Sequence, residues 1–188
     1  MLIAISGGIG CGKTVVSRIV AAMGYPVYDC DSRAARIMDT DTAIKANLAE
    51  HVHPECITPA GEIDRKRLSE IVFSDYEALQ RLNSIVHEAV RRDLARWYGE
   101  QTAPKSFVET AILYQSGLDK MVDEVWEVEA PLDVRVARVM ERNGFDRNQV
   151  LARISSQEQF EVVEPHACVR IIVNDSILPV LPQIEEAI

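Results

Sequence analysis

The chain has 188 residues, of which 47% are hydrophobic and 26% charged, and its formal net charge is −9 at pH 7. This length allows one full hydrophobic core, and the composition excludes a disordered protein. The negative charge disfavours nonspecific binding to nucleic acid or to a membrane surface, so any polyanion site must depend on local positive charge.

The start of the chain and its cysteines predict a cytoplasmic protein. An apolar strand begins at residue 2 without a basic segment before it, and no apolar run approaches the roughly 18 residues of a membrane helix. The cysteines have neither paired nor metal-like spacing, so we expect reduced thiols. They are Cys11, Cys30, Cys56 and Cys168. Nothing indicates an obligate protein partner.

Residues 7–14 read GGIGCGKT and match the phosphate-binding loop pattern G-x-x-x-x-G-K-[S/T] in full. The apolar run 2–6 before it is typical of a buried parallel strand, and apolar residues at helical spacing follow it. Gly24 and Pro26 then end the helix. This order places a phosphate at a helix N-terminus, with Lys13 reaching the β- and γ-phosphates and Thr14 able to ligate Mg²⁺. We therefore predict a site for a nucleoside triphosphate.

A second strand over residues 26–29 is followed by two carboxylates, Asp29 and Asp31. Carboxylates at the carboxyl end of a strand beside a phosphate loop suit an acceptor site, where one orients an attacking hydroxyl or holds Mg²⁺ through water. The alternative for Asp31 is a helix N-cap, because a helical run follows it.

The rest of the chain alternates helical and strand-like segments. Helices are predicted over 32–50 and, in at least two pieces, over 64–101; strands are predicted over 106–110, 124–129 and 170–173. This alternation predicts an α/β three-layer sandwich around a parallel five-stranded sheet. The excursion of about 32–101 is too long for a plain crossover, and we expect a helical insertion that holds the second substrate. Glu109, at the end of the third strand, would face the metal or the substrate.

A basic helical segment of about 131–158 predicts a lid. Arg135, Arg138 and Arg142 recur on one helix face, and Asn143-Gly144 breaks the helix before further arginines. Two helices that carry cations are typical of a lid closing over transferring phosphates. The alternative is a solvated basic face, partly neutralised by Glu141 and Glu158.

Several motifs in order resemble the dephospho-CoA kinase family. The loop followed by Asp29-Cys30-Asp31-x-x-Ala34 is similar to that family's GGIGSGKS and DAD-x-x-A. Residues 61–68 and 82–87 follow its substrate-domain pattern, residues 142–157 resemble its lid segment, and Asn174 matches an asparagine near the adenine.

The resemblance implies a P-loop kinase that transfers the γ-phosphate of ATP to the 3′-hydroxyl of dephospho-CoA, giving CoA and ADP. Asp31 then matches the proposed base, and Lys13, Thr14 and Arg142 match the phosphate and metal contacts. The predicted nucleotide contacts are Gly8, Gly10, Cys11, Gly12, Lys13, Thr14, Val15, Arg138 and Asn174. The predicted acceptor contacts are Asp31, Arg65, His87 and Glu109. Mg²⁺ is expected at Thr14, with Asp29 or Asp31 joining through water.

Three positions depart from the family pattern. The family's PLLFE is Ala111-Ile112-Leu113-Tyr114-Gln115 here, so an amide replaces a carboxylate. His87 is followed by Glu88 rather than proline, and Arg142 by Asn143 rather than aspartate, which would remove a group that orients the arginine. None of the changes affects Lys13, Thr14 or Asp31, so we predict an active enzyme.

Two other classes remain open at this point. Another small-molecule kinase, acting on a nucleoside monophosphate, shikimate or gluconate, would share the loop and Asp31. A non-catalytic nucleotide-binding module would share the loop alone, and would have no use for paired acids and a basic lid. A GTPase-like switch is disfavoured because the chain has neither D-x-x-G nor N-K-x-D.

Overall fold

The computed structural model describes residues 1–158 and 164–188. Within them, five strands pair in parallel in the order β2-β3-β1-β4-β5, which confirms the predicted sheet. The strands are β1 Leu2–Ser6, β2 Val27–Asp29, β3 Ser106–Glu109, β4 Glu124–Glu129 and β5 Val169–Val173. Because all carboxyl ends meet at one edge, the loop after β1 and the last residues of β2 and β3 lie at the same edge of the sheet.

Strand β1 is the centre of the sheet and is buried along its whole length. Its Ile3 lies between Phe107 of β3 and Glu124 of β4. The rings of Phe107 and Trp126 meet edge to face with centroids 5.0 Å apart. A strand that is buried on both faces needs apolar residues at consecutive positions, which is why residues 2–5 read Leu-Ile-Ala-Ile.

The chain divides into two compact units, and the first comprises Met1–Asp29 and Gln101–Ile188. It contains the whole sheet, whose core includes the α1 side chains Val16 and Val20. Its helices are α1 Lys13–Ala22, α6 Leu132–Asn143, α7 Arg147–Glu158 and α8 Val180–Ala187. The predicted helix–turn–helix is present as α6 and α7, and Gly144 with φ 67° ends α6.

The second unit is Cys30–Glu100 and is helical. Its helices are α2 Cys30–Thr40, α3 Thr42–His51, α4 Arg65–Ser74 and α5 Tyr76–Gly99. They enclose a core of their own that includes Ile44, Leu48 and Ala78.

Three element boundaries differ from the sequence prediction. The single helix predicted over 32–50 is wrong, because Asp41 ends α2 and caps α3 by accepting from the N–H groups of Ala43 and Ile44. Helix α2 also begins at Cys30, so Asp31 lies in its first turn rather than before it. Helix α8 was not predicted, since it is short and carries Pro182 in its first turn.

No helix in the described part of the chain is both long and apolar enough to cross a membrane.

Candidate phosphate-binding site

The loop between β1 and α1 is built on glycines that no other residue can replace without strain. Gly7 and Gly12 have φ of 144° and 92°. A Cβ at Gly7 would lie 2.4 Å from the backbone oxygen of Val128, and one at Gly12 would lie 2.2 Å from Nδ2 of Asn174. Since Cβ atoms do not approach other atoms this closely, both positions require glycine, which has no Cβ.

Lys13 folds back over this loop from the first turn of α1. Its Nζ donates to the carbonyl oxygens of Gly7 at 2.8 Å and Gly8 at 3.3 Å. The ammonium group is thus held at the mouth of the loop, beside the N-terminus of a helix that favours anions. This arrangement fits a phosphate group.

Oxygen ligands converge at the start of α1. The Thr14 hydroxyl donates to Oε1 of Glu109 at 2.7 Å, and Ser17 donates to the other carboxylate oxygen of Glu109. Asp29 lies opposite Glu109 in the register of β2 and β3. Hydroxyl and carboxylate oxygens are the ligands that Mg²⁺ prefers. The structure therefore brings three predicted residues together and adds Ser17, which sequence reasoning missed although it lies one helical turn after Thr14.

The predicted nucleotide contacts Arg138 and Asn174 both lie against the outside of the loop. The Arg138 guanidinium donates to the carbonyl oxygens of Gly10 and Cys11, both at 3.4 Å, and to Oδ1 of Asn174 at 3.2 Å. Asn174 Nδ2 donates to Cys11 O at 2.8 Å. One turn earlier, Arg135 Nε donates to Ile9 O at 3.0 Å. These bonds hold the carbonyl oxygens of Ile9, Gly10 and Cys11 on the side of α6 and Asn174.

The structure does not bring Arg142 to the loop. The residue is exposed at the end of α6, and its Nε donates to Oδ1 of Asn143 at 2.9 Å. The expectation that Asn143 removes an orienting group is therefore wrong, because an amide oxygen accepts from the arginine as a carboxylate would.

Three further predicted nucleotide contacts, Gly8, Cys11 and Val15, can be placed in the structure. Gly8 and Cys11 line a cavity of about 560 Å³, Cys11 is buried, and Val15 is exposed on α1. The same cavity is lined by Gln115, Glu127 and Gln157. The Gln115 amide, which replaces the family's glutamate, thus lines the same cavity as the Glu127 carboxylate on β4.

Glu127, near the end of β4, had no role in the sequence analysis. Burial raises the pKa of its carboxyl, while a hydrogen bond with Ser6 and the charge of Lys13 lower that pKa in part. Its position depends on the register of β4, which pairs Glu127 with Ser6 just before the loop. A single sequence does not reveal that register.

The raised pKa of Glu127 predicts a pH-dependent effect on stability. Burial favours the protonated form in the folded state, so this group stabilises the fold below its unfolded pKa, and that contribution is lost as pH rises through the folded pKa. A Glu127→Gln variant should therefore gain stability over the wild type at pH 8 and lose that advantage towards pH 4. Urea unfolding at both pH values tests this, with exposed Glu186→Gln as control; equal midpoint differences at both pH values would contradict it.

Gln157 of α7 joins two segments of the site. Its Oε1 accepts from the N–H of Ile9 at 2.7 Å, and its Nε2 donates to the carbonyl of Ala111 at 2.9 Å. One amide therefore links the phosphate loop to the segment after β3. The sequence marks Gln157 only as part of a lid-like pattern, because neither partner is near it in the chain.

The predicted acceptor residues belong to the helical unit, except Glu109. Asp31 is exposed in the first turn of α2, and Arg65 starts α4, where it donates to Oδ1 of Asp39 at 2.6 Å. His87 is half-buried on α5, and burial lowers the pKa of its imidazole, with a smaller effect from Arg91. Burial therefore favours the neutral form of the imidazole.

Comparison with known proteins agrees with this geometry. A family model described as dephospho-CoA kinase matches residues 1–179. The chain belongs to the dephospho-CoA kinase family. A dephospho-CoA kinase from Porphyromonas gingivalis is 37% identical over 157 residues, which cover 84% of this chain and 77% of that protein. One from Bacteroides fragilis is 34% identical over 190 residues, covering 99% and 90%.

A solved structure has the same fold. TT1252 from Thermus thermophilus has a TM-score of 0.80 and 34% identity to this chain, covering 100% of this chain and 95% of that one. The predicted family, the α/β fold and the kinase activity are thereby confirmed, and the chain is a phosphotransferase with the reaction of dephospho-CoA kinases. The family assignment disfavours both another small-molecule kinase and a non-catalytic module.

Since Gln157 links the phosphate loop to the segment after β3, we expect that its loss impairs the use of ATP by this dephospho-CoA kinase. Replacing Gln157 with alanine removes two hydrogen bonds, each worth about 1 kcal/mol, so kcat/KM for ATP should fall about thirtyfold. Gln157→Glu keeps the oxygen that accepts from the Ile9 N–H but loses the bond to Ala111. Its kcat/KM for ATP should therefore lie between the values of the wild type and of Gln157→Ala. Steady-state kinetics at varied ATP tests this, with exposed Asn148→Ala on the same helix as control. Unchanged kcat/KM in Gln157→Ala would show that the bridge has no role in nucleotide use.

Proposed function

We propose that this kinase uses ATP with Mg²⁺ and phosphorylates the 3′-hydroxyl of dephospho-CoA through the residues described above. The observation that carries the proposal is the position of Lys13 over the loop carbonyls, with Thr14 and Glu109 at the adjoining helix start. Phosphoryl transfer depends mainly on positioning and on charge stabilisation, and a preformed loop with a fixed cation supplies both.

On the nucleotide side, the loop N–H groups and Lys13 would hold the β- and γ-phosphates. Thr14 would ligate Mg²⁺, with Glu109, and Asp29 beside it, joining through water. Mg²⁺ would neutralise charge on the phosphates during transfer. Among residues 1–158 and 164–188, no three His, Cys, Asp or Glu side chains group to hold a metal alone. That suits Mg²⁺, which is usually shared between one or two carboxylates, water and substrate phosphates.

Arg138 and Asn174 have a supporting role in this proposal. Their bonds to the Gly10 and Cys11 carbonyls hold the loop open towards phosphate, and Asn174 would also approach the adenine, as the family resemblance implies. Arg142 would contact phosphate only after residues of about 131–158 close as a lid.

On the acceptor side, the helical insertion of about 32–101 would bind dephospho-CoA. Asp31 would accept a hydrogen bond from the 3′-hydroxyl and orient it for attack, while Arg65 and His87 would contact the substrate. Phosphoryl transfer depends mainly on positioning, so orientation is the larger contribution of Asp31.

A cytoplasmic location is part of the proposal. All four cysteines are free in the structure, as expected of a protein in a reducing compartment.

The deciding experiment measures ADP release from Mg-ATP with dephospho-CoA, and in parallel with AMP, shikimate, gluconate and no acceptor. We expect turnover only with dephospho-CoA, together with formation of CoA. Turnover with another acceptor would overturn the proposed substrate. ATP binding without turnover of any acceptor would instead favour a non-catalytic nucleotide-binding module. A Gln115→Glu variant would then test whether the missing carboxylate causes the lack of turnover.

A further inference from the structure

A second cleft lies wholly within the helical unit, between α2, the start of α3 and the C-terminal half of α5. Its volume is about 470 Å³. Four of its ten lining residues are arginines, and we call it the arginine cleft; they are Arg33, Arg36, Arg92 and Arg96. Its lining also has the apolar residues Ile37 and Ala89. Ala89 belongs to the core of the unit, and Ile37 packs against that core. The chain as a whole has a net charge of −9, so four arginines around one cleft are an unusual concentration of positive charge.

One buried carboxylate fixes two of these arginines. Asp93 is 8% exposed, lies 3.6 Å from the Arg33 guanidinium and accepts a hydrogen bond from Arg96. A guanidinium held by a buried partner loses less side-chain entropy on binding a ligand. The second acid in the lining, Asp41, is already engaged with two N–H groups of α3.

The other two arginines are available to a ligand. Arg92 and Arg36 are both exposed, and the nearest carboxylate to Arg92 is that of Glu88 at 3.7 Å. Within the described residues, the Arg36 guanidinium has neither a hydrogen bond nor an ion pair. Exposed ion pairs are weak, so the Glu88 contact does not block Arg92.

The arginine cleft is separate from the proposed acceptor residues of the same unit. With 3.6 residues per turn, Arg33 lies about 200° around α2 from Asp31, and the other α2 residues of the cleft share its side. On α5, Ala89 lies about 200° around the helix from His87. The cleft thus opens on the faces of α2 and α5 that point away from Asp31 and His87.

We infer that the arginine cleft binds a small phosphate-bearing anion at a site separate from Asp31 and His87. Guanidinium groups bind phosphate oxygens in pairs, which makes arginine the preferred residue for such ligands. The volume lies within the range of small-molecule sites, about 300–1,000 Å³. The apolar lining allows the ligand an organic part as well as its phosphate.

The test is a calorimetric titration of the full chain with inorganic pyrophosphate, while excess ADP and Mg²⁺ saturate the phosphate loop. The cleft variant is Arg36→Gln with Arg92→Gln, which leaves the Arg33–Asp93–Arg96 group in place. The control is Arg18→Gln with Lys66→Gln, which removes the same two positive charges at exposed positions outside the cleft.

We expect the wild type and the control to bind pyrophosphate with the same affinity. The cleft variant should bind it at least about tenfold more weakly, because it loses charge-assisted hydrogen bonds. Amide exchange of residues 33–43 and 89–96 should slow when pyrophosphate is added to the wild type. Equal affinities for all three proteins, or no binding to the ADP-saturated wild type, would overturn the inference. Because the titration needs no turnover, failure of the acceptor assay would leave this result unaffected.

Discussion

A Lys13→Met variant should lose about a thousandfold in kcat while keeping its fold. Lys13 is the cation held at the mouth of the loop by the carbonyls of Gly7 and Gly8. Removing one preorganised charge that stabilises a transition state costs about 10²–10³ in kcat. Methionine keeps the length and apolar stem of the side chain, so the loss reports on charge rather than packing. The measurement is steady-state turnover with Mg-ATP and dephospho-CoA.

The control for Lys13 is Lys66→Met, which removes one exposed charge from α4 of the helical unit. It should retain wild-type kcat, and both variants should unfold at urea concentrations close to that of the wild type. If Lys13→Met kept kcat within a few fold of the wild type, charge at the loop mouth would have no part in transfer, and the proposed nucleotide geometry would be wrong.

An Asp31→Asn variant should lose about 10²–10⁴ in kcat, the range that a positioned acid or base contributes. Asparagine keeps the size of the side chain, but its amide has one acceptor oxygen instead of two, so it orients the attacking hydroxyl less well and cannot take its proton. Because Asp31 is exposed and lies inside the first turn of α2, the substitution should leave stability nearly unchanged. KM for ATP should change far less than kcat, since the proposed role concerns the acceptor.

Glu50→Gln is the matched control for Asp31. It neutralises an exposed carboxylate on α3 of the same unit and should leave turnover unchanged. Near-wild-type turnover of Asp31→Asn at saturating dephospho-CoA would remove Asp31 from the proposed reaction and direct attention to Asp29.

The phosphate loop and its flanking elements could be predicted from the sequence because local residue types determine them. Glycines at Gly7 and Gly12, a lysine at the helix start and an apolar run before them allow few other conformations. The same holds for Gly144, which ends α6 where the sequence places a break.

Other parts of the site depend on register and on distant contacts, which a single sequence does not encode visibly. Glu127 reaches the site because β4 pairs with β1 in one register, and Gln157 bonds to residues 148 and 46 positions away. Arg138 was expected at the nucleotide and lies beside the loop, but its bonds to the loop carbonyls required the structure. The sequence did not predict that α2 and α3 separate at Asp41, because an aspartate within a helical pattern also fits the solvated face of one continuous helix.

The bond from Asn174 to Cys11 spans 163 positions of the chain. During synthesis, the loop emerges well before Asn174, which follows β5 and bonds to its outer carbonyl. At about 5–20 residues per second, that delay lasts on the order of ten seconds or more. The loop gains this bond only after β5 has been made, so a chain truncated before β5 should bind ATP more weakly even where the earlier strands have folded.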